Sequence, residues 1–251
     1  MAPVSVTIIT RNEALHIADA LASVAWADEI IVVDAESSDD TVSLARERAS
    51  RVEVRAWQGY GDQKNFAAGL ARHDWILSID ADERVTPELA LDIQQTLGAN
   101  PSARAFQVSR VTFHLGRWIR STDWYPDYAV RLYDRRHAQW NDRPVHESVT
   151  VEGEVGRLRG ELQHYAYRDL SHHLDTIDRY TGLAAHLMFE QGRRASGADL
   201  LVHPPLAFLR NYVLRGGIRD GLPGLIVSLM NSYYAMLKFA KLWELQRKPR
   251  P

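Results

Sequence analysis

The chain carries Asp80-Ala81-Asp82-Glu83 directly after the apolar run Trp75-Ile76-Leu77-Ser78-Ile79. In an Asp-x-Asp pair the two carboxylates leave a strand end close together. One can bind a hard divalent cation while the other holds a ribose or the same cation, and such a cation neutralises a diphosphate as it leaves. Two more polar clusters follow apolar runs in the same manner, Thr10-Arg11-Asn12-Glu13 and Asp34-Ala35-Glu36. Further on, Val145-His146-Glu147-Ser148 offers another carboxylate beside an imidazole. Each group also has a plainer reading. An arbitrary Asp-x-Asp is a solvated acidic loop. Asp34 and Glu13 suit helix N-termini, where the macrodipole favours negative charge. Lys64 suits a solvated helix face, and a lone histidine such as His164 is more often hydrogen-bonded than ligating.

Placement bears on these readings. Residues 4–9 form a continuous β-branched run, as do 29–34, and both suit strands buried on two faces. Helical spacing occupies 13–24. The turn residues Ser37-Ser38-Asp39-Asp40-Thr41 cap a helix reaching Arg48. Strands are expected over 52–57 and 75–80, with a short helix over 63–71. Thr86-Pro87-Glu88 supplies the cap, first-turn proline and first-turn acid of a helix to about Leu97. Alternating strands and helices predict a mainly parallel sheet flanked by helices. Ligands in such sheets bind at the carboxyl ends of strands, where the three polar clusters fall. Short strands follow over 105–111, 129–133 and 149–151. After Asp169 the spacing is helical, with a break at 194–197 and two amphipathic candidates at 205–215 and 222–245.

The 251 residues suit one α/β domain with a helical extension. The absence of cysteine excludes disulfides, cysteine-bound zinc and a thiol nucleophile, and fits a reducing cytoplasm. No basic leader precedes the first strand and no long uncharged apolar run occurs, so neither a signal peptide nor a spanning helix is expected. The net charge of -2 is uneven. From Leu201 onward there are eight bases and two acids, hence +6, which leaves -8 for the preceding residues. A basic, aromatic-rich tail points to an anionic surface, here a lipid interface, although a helical lid or a dimer face would use the same pattern. No nucleic-acid partner is expected.

With these motifs in place, a resemblance becomes specific. Thr7-Ile8-Ile9-Thr10-Arg11-Asn12-Glu13, Val32-Val33-Asp34, Ser37-Ser38-Asp39-Asp40-Thr41, Gly61-Asp62-Gln63-Lys64-Asn65-Phe66-Ala67 and Ser78-Ile79-Asp80-Ala81-Asp82-Glu83 resemble, in order, family 2 glycosyltransferases of the GT-A fold. Gly116-Arg117-Trp118, Trp124-Tyr125-Pro126-Asp127, Arg131-Leu132-Tyr133, Val145-His146-Glu147-Ser148 and the run from His164 to Leu170 are similar to the bacterial branch related to the lipopolysaccharide inner-core β-1,4-glucosyltransferase. The resemblance implies a GT-A nucleotide-sugar-binding and catalytic domain over 1–168 and a basic helical extension over 169–251. It implies an inverting hexosyl transfer, glucose first among donors, from a UDP-sugar to a lipid-linked glycan. It also implies Mg or Mn as cofactor and a peripheral place on the cytoplasmic face of the inner membrane.

Roles follow by position within that resemblance. Thr10, Arg11, Asn12, Glu13, Asp34, Lys64, Asp80 and Asp82 face the donor. Asp82, Asp80 and His164 are the metal candidates. Glu147 is the base that takes the acceptor proton, although His146-Glu147 departs from the commoner Glu-Asp pair and Asp127 is its rival. Trp124, Tyr125, Arg131 and His146 lie on the acceptor side, aromatic faces suiting sugar C–H surfaces, while Trp118 belongs to packing. Three other readings are weaker. A nucleotidyltransferase needs a glycine-rich loop after its first strand, and Thr10-Arg11-Asn12-Glu13 has none. A polyprenyl-phosphate glycosyltransferase would share the donor site. A non-catalytic membrane-associated module would lack the carboxylates.

Overall fold

A computed structural model describes residues 2–141 and 147–247. The strands are β1 (Val4–Thr10), β2 (Glu29–Asp34), β3 (Arg51–Val54), β4 (Trp75–Asp80), β5 (Glu83–Val85), β6 (Ala105–His114), β7 (Arg117–Ile119), β8 (Asp127–Asp134), β9 (Ala138–Trp140), β10 (Val149–Val151) and β11 (Val155–His164). The α-helices are α1 (Ile17–Ser23), α2 (Thr41–Arg46), α3 (Tyr60–Leu70), α4 (Pro87–Gly98), α5 (Leu170–Glu190), α6 (Gly197–Leu209) and α7 (Gly221–Arg247). They fall into two compact units, one of Met1–Val111 with Asp127–His164, the other of Thr112–Pro126 with Tyr165–Pro251.

The first unit holds a mixed sheet in the order β3-β2-β1-β4-β8-β6-β11-β5. β3, β2, β1 and β4 run parallel, and β8 joins β4 antiparallel. Every residue of β1 and β2 is buried, as a strand covered on both faces requires. Alternate side chains enter different cores. Val6, Ile8, Val32 and Leu77 pack with Ile17 and Leu21 of α1 and Leu89 and Ile93 of α4. Ile9, Ile31, Val33 and Ile76 pack with Ala67 and Ala68 of α3. Parallel register then aligns the carboxyl ends, Thr10 beside Asp34 and Ile9 beside Asp80. The sheet therefore delivers three polar loops from widely separated segments to one edge.

Local chemistry sets the boundaries. Thr86 caps α4 by accepting from the Leu89 amide, with Pro87 in the first turn. The helix expected from residue 13 begins only at Ile17, because the amides of Asn12 and Glu13 are bound by Ser37 Oγ and Thr41 Oγ1 of the neighbouring loop. β11 has no counterpart in the sequence expectations. Gly160 within it lies so close to α4 that a Cβ would stand 2.4 Å from the Leu89 backbone. Close approach of backbone is a recurrent reason for glycine inside a strand.

In the second unit a small core joins Ala185 of α5, Ala195 of the connection after it, and Phe239 and Leu242 of α7, with Leu200 of α6 partly buried against it. Asp169 caps α5 by accepting from the His172 amide. Ser196 and Asp199 form a capping box for α6, which runs on into a π-helical turn, Arg210–Leu214. Among the described residues no helix is long and apolar enough to cross a membrane.

Candidate active site

Thr10, Arg11, Asn12 and Glu13 close β1, and their loop is laced to the one after β2. The Asn12 amide donates to Ser37 Oγ, and Asn12 Oδ1 accepts from the Ser38 amide. Asn12 adopts φ 54 and Glu36 φ 57, the left-handed region that L-residues avoid. Asn tolerates it, whereas Glu36 carries strain, and such strain collects at binding loops. Asp34 is fully buried and accepts from both the amide and the hydroxyl of Ser37. It thereby shapes its own loop as well as standing at the strand end. Thr10 is buried, its Oγ1 without a protein partner, and Arg11 is exposed.

The centre of the site is a set of opposed charges around Asp80. Lys64, on α3 and 2% exposed, places Nζ 3.1 Å from Asp80 Oδ1 and 3.5 Å from Glu147 Oε1. The same ammonium lies 4.2 Å from the centre of the Trp140 ring, a cation–π contact. Expected to meet the base or diphosphate, Lys64 instead bridges two carboxylates. Asn65, the next residue, donates to the Trp140 carbonyl and accepts the Trp140 amide, which pins α3 to β9. The Asn141 amide donates to the Ser148 carbonyl. These bonds fix both stems of the segment that carries Glu147. His146, expected on the acceptor side, lies outside the described residues.

Behind Asp80 sits Glu83, fully buried and without an assigned role in the sequence reading. It accepts from the Asp80 amide at 2.9 Å, from Arg131 at 2.7 Å and from Arg110 at 3.4 Å. Arg131 also donates to Asp80 Oδ2 at 3.1 Å. Arg131, expected on the acceptor side, is 3% exposed and braces Glu83 and Asp80. Its Nε and Nη1 have no protein partner. Burial alone would favour neutral Asp80, but Lys64 and Arg131 outweigh it and hold the carboxyl well below the usual range. Burial likewise opposes charge on Arg131 and Arg110. Glu83 reverses that for both, helped by Asp80 at Arg131 and by Asp127 at Arg110. Asp127 is engaged by Arg110 through both Nε and Nη2.

Asp82 and His164 form a separate pair, Oδ2 to Nε2 at 3.2 Å, supplied by the turn after β4 and the end of β11. β11 pairs with β5, placing His164 opposite Glu83. Burial disfavours charge on both, yet each partner prevails: Asp82 is shifted down and His164 up. Two donor atoms at that spacing fit the first shell of one divalent cation. Among the described residues no three or more His, Asp or Glu side chains form a ready-made metal cage. Asp80, expected to share the metal, has Lys64 at Oδ1 and Arg131 at Oδ2.

Trp124 and Tyr125 belong to the second unit. Trp124 stacks on Tyr167, centroids 5.4 Å apart, and lies near His114 and His173. His114 Nε2 and His173 Nδ1 are 3.2 Å apart. Arg120 lies over the Tyr125 ring at 5.5 Å. Trp118 packs edge-on against Phe113 and Tyr165. An open cavity of about 600 Å³ is lined by His114, Gly116, Tyr167, Arg168 and Ser171 within this unit.

The chain is similar to known proteins. Residues 5–152 match the sequence pattern described as Glycosyl transferase family 2. An uncharacterised glycosyltransferase of Rickettsia typhi is 32% identical over 263 residues, covering 100% of this chain and 90% of that protein. The lipopolysaccharide core biosynthesis glycosyltransferase LpsC of Rhizobium meliloti is 30% identical over 249 residues, 96% of this chain and 92% of that protein. Among solved structures, glucosyl-3-phosphoglycerate synthase of Mycobacterium tuberculosis, in complex with Mn2+, UDP and glucosyl-3-phosphoglycerate, is 21% identical over 43% of this chain and 44% of that one, with a TM-score of 0.39. A likeness of that size assigns neither donor nor metal.

Proposed function

Because the chain belongs to glycosyl transferase family 2, whose pattern it matches over 5–152, we propose that it is a metal-dependent inverting hexosyltransferase using a UDP-sugar, glucose first among candidates. The acceptor class is a lipopolysaccharide-core or other lipid-linked glycan, a reading supported by the likeness to LpsC. It brings with it a peripheral position on the cytoplasmic face of the inner membrane. The catalytic unit is then the sheet with residues up to about 168, and the helical remainder serves membrane association.

One observation carries the chemistry: Lys64 ties the carboxylate of Glu147 to that of Asp80, so a base candidate and the Asp-x-Asp turn share one buried cation. The loops ending β1 and β2 would take the nucleotide, with Thr10, Arg11, Asn12, Glu13 and Asp34 around it. Asp82 and His164 would hold Mg or Mn, which when bound neutralises charge on the departing diphosphate. Glu147 accepts the proton of the acceptor hydroxyl as that oxygen bonds to the anomeric carbon. The bond from the anomeric carbon to the UDP oxygen breaks on the opposite face, UDP leaves with the electron pair, and the configuration inverts. Lys64 keeps Glu147 aimed and Arg131 keeps Asp80 aimed. Glu147 is favoured over Asp127 because two guanidinium nitrogens of Arg110 already occupy Asp127.

The test is UDP release from UDP-glucose with Mn or Mg present. Wild-type protein should release UDP and Asp82→Ala should lose that release. Equal release by Asp82→Ala, or release indifferent to metal chelation, defeats the proposal.

A further inference from the structure

The second unit shows an apolar surface of unusual placement. No residue of α6 is buried, although most of the helix is apolar. Val202, Leu206, Leu209 and Val213 follow one another at intervals of four, three and four residues, and they are 50%, 56%, 49% and 55% exposed. That is the spacing of one helix face, and on a water-soluble helix such a face is turned inward. Leu214, Ile218 and Leu222 prolong the exposed surface, at 61% exposure or more. Singly exposed leucines are ordinary, but a continuous apolar run of this kind marks a contact surface. The long helix α7, whose sequence pattern also suits an interface, turns Val227, Phe239 and Leu242 into the unit's interior, while Leu222 at its start and Leu229 stay more than half exposed. The run without a buried residue lies on α6, and the turns after it and Leu222 at the start of α7 continue its exposed apolar side chains.

Charge identifies the occupant. Arg210, Arg215 and Arg219 are interleaved with the stripe, and the chain from Leu201 onward carries eight bases against two acids. Arg210 and Arg215 both lean on Asp123, leaving this cluster of three net positive. A protein partner needs a matching apolar face of fixed shape. A bilayer with anionic headgroups needs only apolar side chains over a basic rim, which is what the surface presents. We infer that the face of Val202, Leu206, Leu209 and Val213, continued by Leu214, Ile218 and Leu222, seats this unit on an anionic bilayer. The apolar side chains lie at the acyl boundary and Arg210, Arg215 and Arg219 meet lipid phosphates. The inference deepens the membrane-facing acceptor reading above and rests on it for its biological sense, but binding itself requires no donor or acceptor.

The experiment is co-sedimentation of the full chain with vesicles of phosphatidylcholine, with and without phosphatidylglycerol. Wild type should pellet with the anionic vesicles and far less with the neutral ones. Leu206→Ser with Leu209→Ser should lower partitioning roughly tenfold or more, since each leucine removed from an apolar environment weakens transfer substantially. Arg215→Gln with Arg219→Gln should weaken binding to anionic vesicles alone. Circular dichroism melts establish that the variants remain folded, and Leu222→Ser gives a second apolar probe outside α6. Wild-type pelleting by the folded serine variants overturns the inference. So does a wild-type dimer that the same variants split without a change in pelleting, because the face would then join two copies. UDP release, assayed separately without vesicles, tests the catalytic reading: loss of pelleting with release intact removes only the present inference.

Discussion

At the residue scale, carboxylates of similar appearance in the sequence are distinguished by their partners. Among the described residues Glu147 has the Lys64 ammonium at 3.5 Å, whereas Asp127 is engaged twice by Arg110. Glu147→Gln should therefore lower kcat by about 10²–10⁴, the usual contribution of a positioned base, with donor binding kept. Asp127→Asn should leave kcat within a few-fold. The reverse pattern in steady-state UDP release would transfer the base to Asp127. Glu83 differs again. It is fully buried and faces Arg131 and Arg110, so Glu83→Gln leaves buried guanidinium charge poorly compensated. Removing one member of a buried pair costs about 3–5 kcal/mol, whereas the exposed side of Asp127 puts its loss nearer the surface-pair range of about 0–1 kcal/mol. Urea unfolding of the two variants checks this order, and similar midpoints would contradict it. Glu83 could have been singled out from the sequence only by its place next to Asp82. Nothing in the spacing shows that Arg131 and Arg110, far along the chain, turn inward to meet it.

At the element scale, legibility follows how local the signal is. β2 and β4 begin and end where the sequence pattern predicts, because a buried apolar run bounded by turn residues needs no distant information, and the short half-exposed β10 also matches its predicted bounds. β11 alternates charged with apolar residues as a half-buried strand does, but Gly156 and Gly160 interrupt the pattern with residues that weaken a strand, and only the approach of α4 explains Gly160. That matters for the site, since β11 delivers His164 to Asp82. α5 offers a titration test of its packing. Its His173 is nearly buried against His114, with Tyr167 and His172 alongside. Burial first, then the neighbouring His114 and His172, push His173 down to about 4, and burial also lowers His114. The unfolded chain then binds more protons than the folded one between pH about 6.5 and 4. Stability from this pair is complete above that window and is lost as pH falls through it. The melting temperature should drop from pH 7 to pH 5, and His173→Asn should flatten that drop. An equally steep dependence in the variant would mean that other groups set it.

At the scale of the whole molecule, the three loops of the proposed donor site come from β1, β2 and β4, aligned only because the sheet is assembled. A ligand that spans them binds the folded protein and not the unfolded chain. Such a ligand stabilises by about 2.7 kcal/mol at a hundred times its Kd. For a chain of this size roughly 2–4 °C accompanies each kcal/mol, so saturating UDP-sugar with Mn should raise the melting temperature by about 5–10 °C. Two variants divide the effect. Asp82→Ala removes a cation donor while leaving the loops after β1 and β2 intact, so the gain that depends on Mn should vanish and a smaller gain from nucleotide alone should persist. Asn12→Ala removes the side chain that accepts from Ser38 and ties those two loops together, so the nucleotide gain should shrink with or without Mn. A panel of nucleotide sugars on the wild-type protein then orders donors by the size of the shift, and UDP-glucose should lead. A larger shift with a non-uridine donor would reassign the nucleotide, and no shift with any donor would mean that the aligned strand ends do not form a nucleotide site.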